Sequence, residues 1–341
     1  MTMRDDSSPA ALLPLWGLPP NARLTRPDQG TNNQTFLVQH GDERFVLRVS
    51  QSVSARQVRV EHRILGRLRR AGLPFEVPEP VPTADGETVI ETAAGPVTLC
   101  RWIPGVRPDL EDVPTLERFG RAAGMLDNAL ADVPLEAVVD DWLGDPLLVP
   151  GVPDIGELCD ELRAAGIGAE QTAVLGEAAR RVGREWIGRR DVLPRQVIHG
   201  DLAASNALAD RSTGRVSALL DFEFVGSGWR VQDFLAALYN SPVLEAHDWP
   251  LRVEAFARGY ASVCRLEPAE VAALPGLLRA RSCASALYRA GRWRAGKARL
   301  DEVAGRLRRL QAVTDWLVAD GEAFQALVAG ANSVRGDRRD G

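Results

Sequence analysis

The sequence predicts an α+β chain: a small antiparallel sheet carrying one helix, then a larger, mainly helical region. Three observations lead there. Up to about residue 105, short period-two apolar runs alternate with turn residues, broken by a single amphipathic stretch at 54–71. From Pro114 to Arg190 the apolar residues recur at helical spacing. Between Gln196 and Phe224 the pattern returns to short strands and turns, set inside helical surroundings.

Residues 1–20 are polar, then rich in Leu and Pro, and predict a loose start with a short helix near Ala10–Leu15. Thr35–Val38 and Arg44–Val49 read as strands joined by a tight turn at His40-Gly41-Asp42-Glu43. Ser54 is a helix cap and Gly72-Leu73-Pro74 a stop, which bounds a helix with the apolar face Val58, Ile64, Leu65 and Leu68. Glu61 falls on that face, where a lone carboxylate is costly, so it needs a cation or an edge position that reaches water. His62 points elsewhere and is expected to be solvated. Pro74, Pro78, Pro80 and Pro82 then give irregular connections, and Val97–Ile103 is a strand that ends at Pro104-Gly105. Helices follow at Pro114–Asp132, Ile155–Ala165 and Ala169–Arg190, with a loop at 139–153. The Asp140-Asp141 pair in that loop is either solvated or lines a site for a cation.

The chemistry concentrates in QVIHGDLAASNALADRSTGRVSALLDFEF, residues 196–224. It reads strand, loop, strand, turn, strand. Asp201 precedes Asn206 by five residues, and Asp221-Phe222-Glu223 ends the next apolar run. In the loop H-R-D-x-x-x-x-N followed by D-F-G, the first carboxylate orients an acceptor hydroxyl and takes its proton. The amide and the second carboxylate hold Mg²⁺. Here Asp201 takes the first role, and Asn206 and Asp221 supply hard oxygen ligands. Three such residues at this spacing, each beside a buried run, are hard to reconcile with a chance hairpin.

The segment His199-Gly200-Asp201-x-x-x-x-Asn206, with Asp221-Phe222-Glu223, resembles the aminoglycoside phosphotransferase and choline kinase group. Gly200 in place of Arg, Glu223 in place of Gly, and the lack of a following A-P-E separate it from protein kinases. The resemblance implies a protein-kinase-like two-lobed fold. Residues 1–99 would form a small lobe that covers nucleotide, 100–105 a hinge, 106–330 a large lobe, and 331–341 a disordered tail. It implies that ATP and Mg²⁺ are used to phosphorylate a hydroxyl of a small molecule. The turn Gly30-Thr31-Asn32-Asn33, in the group's pattern G-x-x-N-x-x-[FY], would cover the ATP phosphates, although an ordinary hairpin also fits the segment. The strand cation that contacts phosphate in this group is usually lysine. Here it is Arg48, and Lys297 is the only lysine in the chain. Arg48 would pair with Glu61, or else be a solvated strand cation. Main-chain groups around Arg101, Trp102 and Ile103 would meet the adenine edge. Asp233 and His199 would brace the loop.

A net charge of −5 is too mild to point to nucleic acid. Cys100, Cys159, Cys264 and Cys283 are scattered, without zinc spacing, and suit free thiols in a reducing cytoplasm. No apolar run is long enough to span a membrane, and the start MTMRDDSS is no signal peptide. Between Gly276 and Gln311 stand ten basic residues, with Asp301 and Glu302 the only acids. This argues against a polycationic acceptor and fits an anionic or zwitterionic one, such as a hydroxy amino acid, unless the arginines are simply solvated helix faces. A homoserine-kinase-like activity is the alternative within enzymes. A pseudokinase that binds nucleotide without transfer is the alternative outside them, motivated by the missing lysine.

Overall fold

The computed structural model of the chain describes residues 9–26, 33–138, 147, 149, 151–186 and 192–333. The chain divides into two compact units: Met1–Arg107 with Glu136–Val139 and Asn206–Val225, and Pro108–Leu135 with Asp140–Ser205 and Gly226–Gly341.

The first unit is built on a five-stranded antiparallel sheet. Its strands are β1 (Arg23–Thr25), β2 (Gln34–His40), β3 (Glu43–Val49), β4 (Ile90–Thr92) and β5 (Gly95–Arg101), in the order β1-β2-β3-β5-β4. The expected hairpin forms with Gln34 opposite Val49 and His40 opposite Glu43, and Gly41 makes its turn at φ +59°. Alternation buries Phe36, Val38, Phe45, Leu47 and Val49 on one face. Leu12 and Leu13 of the 3-10 turns at Pro9–Trp16 fill the same core, so this stretch of the N-terminal region is packed rather than loose.

Helix α1 (Ala55–Leu68) begins at a capping box in which the Gln57 N–H donates to Ser54 Oγ and the Ser54 N–H donates to the Gln57 side chain. It buries Val58, Glu61, Ile64, Leu65 and Leu68. His62 is not solvated as the sequence suggests. Its Nδ1 lies 2.8 Å from Thr88 Oγ1, and burial, then the cations Arg48 and Arg59, push its pKa down to about 3.

The same unit holds the hairpin β7 (Ala207–Ala209) and β8 (Val216–Leu219). Main-chain bonds fasten it on both sides. The Glu76 N–H donates to Ser217 O at 2.8 Å and the Leu219 N–H to Glu76 O at 3.0 Å. Val106 and Ala209 exchange N–H···O bonds of 3.0 and 2.7 Å.

The second unit contains α2 (Val113–Ala131), α3 (Ile155–Ala164), α4 (Ala169–Trp186), the strand pair β6 (Arg195–Ile198) and β9 (Gly226–Trp229), then α5 (Val231–Tyr239), α6 (Trp249–Ala261), α7 (Pro268–Arg294) and α8 (Leu300–Ser333). Strand β9 is a Gly-Ser-Gly-Trp segment that carries no strand pattern. It pairs with β6 closely enough that a Cβ at Gly228 would stand 2.3 Å from Ile198 Cδ1. The expected tail at 331–341 starts inside α8, which runs to Ser333; residues 334–341 lie outside the described residues. Asp140 and Asp141 lie outside them as well. No helix among the described residues is long and apolar enough to cross a membrane.

Helices α2 and α6 touch backbone to backbone. A Cβ at Gly259 would lie 1.9 Å from Glu117 O, and one at Gly120 would lie 2.1 Å from Phe256 O. Edge-on and tilted rings of Phe119, Phe234, Phe256 and Tyr260 fill the space beside this contact. Gly259→Ala is therefore expected to cost about 3 kcal/mol in urea unfolding, because both helices would have to separate along their length. A loss below about 1 kcal/mol would show that the helices slide apart freely.

Candidate active site

In the first unit, the sequence-predicted phosphate cation and metal carboxylate come together. Arg48 on β3 donates through Nη2 to Glu61 Oε2 on α1 at 2.6 Å. Its Nη1 lies 3.7 Å from Asp221 Oδ1. Burial works against the Arg48 charge, but Glu61 and then Asp221 outweigh it and hold the guanidinium firmly protonated. The pair Arg48–Glu61 explains how a carboxylate survives on the buried face of α1. Arg48 is the neighbour of both.

Asp221 follows β8 with φ +64°, the only positive φ of a non-glycine residue among the described residues. A left-handed backbone costs a residue with a Cβ about 1–2 kcal/mol. Such strain persists where the surroundings impose it. Phe222, fully buried, anchors the next residue, and Asp221 keeps 39% of its side chain exposed. Asn206 ends a 3-10 turn (Ala204–Asn206), and its carbonyl accepts from the Leu220 N–H at 2.7 Å. The hairpin thus brings Asn206 level with the residue that precedes Asp221.

One amide oxygen and one carboxylate are hard donors, the set Mg²⁺ takes when substrate phosphates and water complete its shell. No cluster of three His, Cys, Asp or Glu that could cage a metal exists among the described residues. Asn33 Nδ2 donates to Glu223 Oε2 at 2.6 Å, and the Gln51 N–H donates to Asn33 Oδ1. Asn33, the last residue of the expected Gly30–Asn33 turn, is therefore tied to the Asp-Phe-Glu segment. Gly30 and Asn32 of that turn lie outside the described residues. At the expected hinge, the Arg101 N–H donates to Glu79 O and the Trp102 N–H to Arg44 O. The N–H groups of Arg101 and Trp102, two of the main-chain groups expected at the adenine edge, are thus engaged within the unit.

In the second unit, Asp201 sits on the loop after β6. Gly200 takes φ +81°, which explains glycine where a related loop carries arginine. Asp233, in the first turn of α5, accepts the His199 N–H at 2.5 Å and the Gly200 N–H at 2.8 Å. Arg281 and Asn240 hold the Asp201 carboxylate itself. Arg281 of α7 donates through Nη2 to Asp201 Oδ1 and through Nη1 to Gly200 O, both at 2.7 Å. Asn240, the residue that ends α5, donates from Nδ2 to the same Oδ1 at 2.9 Å.

A sequence profile of the phosphotransferase enzyme family matches residues 23–274. The chain belongs to that family. This phosphotransferase is 30% identical over 253 residues to the homoserine kinase of Gluconobacter oxydans (strain 621H), covering 73% of this chain and 76% of that one. It is 28% identical over 268 residues to the homoserine kinase of Afipia carboxidovorans (strain ATCC 49405 / DSM 1227 / KCTC 32145 / OM5), covering 78% of each. Among solved structures, a microcompartment-associated aminopropanol kinase matches with a TM-score of 0.70 at 27% identity, over 92% of this chain and 97% of that one. The expected α+β, protein-kinase-like fold is therefore the fold of this phosphotransferase, and its chemistry is that of a small-molecule kinase with an alcohol group as acceptor.

Sequence reasoning found Arg281 only as one of many basic residues and missed Asn240. Nothing local marks either residue, since they lie 80 and 39 positions from Asp201. The basic stretch is also less bare in this phosphotransferase than its composition suggests. Arg279 pairs with Glu185, Arg289 with Glu302, Arg294 with Glu157 and Glu161, and Arg309 with Glu245. Most of these acids lie outside residues 276–311.

Proposed function

We propose that this chain uses ATP and Mg²⁺ to phosphorylate the hydroxyl of a small amino-bearing acceptor, with a hydroxy amino acid of the homoserine type as the first candidate. The observation that carries the reading is Arg48, clasped by Glu61 and facing Asp221. That arrangement supplies a fixed cation for ATP phosphates beside a carboxylate suited to a metal. Asn206 and Asp221 would hold Mg²⁺, which when bound offsets the charge on the phosphates. Arg48 steadies the phosphates, Asn33 and its turn cover them, and Ile103 meets the adenine edge. Asp201 receives the acceptor proton, while Arg281 and Asn240 keep its carboxylate in one orientation. In a loose phosphoryl-transfer transition state, orienting the hydroxyl matters more than strong basicity, so a carboxylate beside an arginine suffices. The enzyme would work in the cytoplasm.

Support for the acceptor comes from the relatives named homoserine kinase. The aminopropanol kinase favours a second reading, an amino alcohol without a carboxylate. The two differ by one anionic group. ADP release with Mg²⁺-ATP should be measured against homoserine, aminopropanol, choline and an aminoglycoside. Homoserine is expected to give a kcat/KM at least about tenfold above the others, about 1.4 kcal/mol of preference. A preference for aminopropanol would replace the first reading with the second. Silence across the panel with ATP binding intact would favour a nucleotide-binding protein without transfer.

A further inference from the structure

We propose that Asp127 is a positioning residue of the catalytic loop: it carries a proton and donates it to Asp233, which in turn holds the backbone leading into Asp201. The positioning role rests on Asp201 being the residue that receives the acceptor proton. The placement of the proton does not.

Both carboxyl groups are fully buried in the second unit, Asp127 on α2 and Asp233 on α5. Their carboxyl groups lie close enough to interact directly. Two adjacent carboxylates out of water do not both ionise, so the pair shares one proton. Their other partners decide where it resides. Each oxygen of Asp233 accepts a backbone N–H, from His199 on Oδ2 and from Gly200 on Oδ1. Two such donors favour the anion. Asp127 Oδ2 accepts from the Tyr260 hydroxyl at 2.5 Å, and its buried Oδ1 receives no donor. A carboxyl oxygen with no donor, on a group that interacts with a second carboxylate, is suited to carry the O–H.

The electrostatics agree. Burial, then the Asp233 charge, hold the Asp127 carboxyl well above the usual range, and the Tyr260 hydrogen bond opposes them without prevailing. Burial raises Asp233 too, against His199, the two N–H groups and the Asp127 hydrogen bond. Around the pair stand His199 on the loop, Tyr260 on α6, Cys264 just after it with Sγ donating to the Tyr260 hydroxyl, and Arg230 before α5, itself paired with Glu270 of α7. The Gln196 side chain donates to the Asp127 carbonyl at 2.7 Å, so β6 is tied to α2 at the same residue. The chain of contacts runs Tyr260, Asp127, Asp233, loop.

The consequence for stability has a definite sign. An unfolded aspartate loses its proton near pH 4, while folded Asp127 keeps it to well above that. Its contribution is complete below the unfolded value and falls as pH rises towards the folded one. Asp127→Asn removes this dependence yet keeps the bonding pattern, because Nδ2 donates to Asp233 and Oδ1 accepts from Tyr260. Asp233→Asn does the opposite: it places an amide N–H₂ against a backbone N–H.

Two measurements on the full chain test this. In urea unfolding at about pH 5 and pH 8, the wild type is expected to lose stability with rising pH and Asp127→Asn to flatten that decline. In turnover assays, Asp127→Asn is expected to keep kcat within about threefold, whereas Asp233→Asn lowers kcat about tenfold or more with KM little changed. An unchanged pH slope in Asp127→Asn, or an equal loss of kcat in both variants, would overturn the proposal. The unfolding arm needs no acceptor, so a failure of the kinase reading would be seen separately.

Discussion

Asp201→Asn is expected to lower kcat by about 10²- to 10⁴-fold, the usual contribution of a positioned general base. The amide oxygen can still accept from Arg281 and Asn240, since both donate to one carboxylate oxygen. The amide nitrogen then takes the place of the second oxygen and presents donors to an acceptor hydroxyl that needs an acceptor. Loss of the ion pair with Arg281, which is partly exposed, costs the fold about 1 kcal/mol or less. The KM for ATP should stay near the wild-type value, because the residues assigned to phosphate and metal are others. Turnover, nucleotide affinity and urea stability measured on one preparation check all three. A kcat within tenfold of the wild type would remove Asp201 from the chemistry.

Asp221→Gly is expected to separate activity from stability in the same way, with a second signature. Glycine relieves the left-handed strain at φ +64°, worth about 1–2 kcal/mol, and gives part of that back as unfolded-state entropy. The 3.7 Å contact with Arg48 is lost, while the Arg48–Glu61 pair stays. The net change in stability should lie within about 1 kcal/mol of zero. Turnover should fall by about 100-fold or more, because a metal ligand contributes several kcal/mol to stabilising the transferred charge. The thermal shift that Mg²⁺ adds to ATP binding should also disappear. A variant that keeps this Mg²⁺-dependent shift would exclude Asp221 as a ligand.

Much of the fold was legible because its signals are local. The β2–β3 hairpin shows as two alternating runs around one glycine turn. Helix α1 shows as Ser54 and a stop at Gly72-Leu73-Pro74 around an apolar stripe. Glu61 on that stripe demanded a cation, and β3 offered Arg48. The misreadings have local causes too. His62 looked solvated because its partner, Thr88, lies on another segment, and β9 had no strand reading because Gly-Ser-Gly has no side-chain pattern to read.

The sequence by itself marked the residues proposed for the chemistry. Asn206 and Asp221 stand at the two ends of one hairpin, Asp201 stands on the loop after β6, and Arg48 stands one strand-to-helix step from Glu61. Only the tertiary structure decided how those groups are held. Arg281 and Asn240 reach Asp201, and Asp127 reaches Asp233, across separations that no turn or helical period links. The same distance hid the acids that compensate the basic stretch. A charge count along the chain registers what is close in sequence, but a buried charge is stabilised by what is close in space.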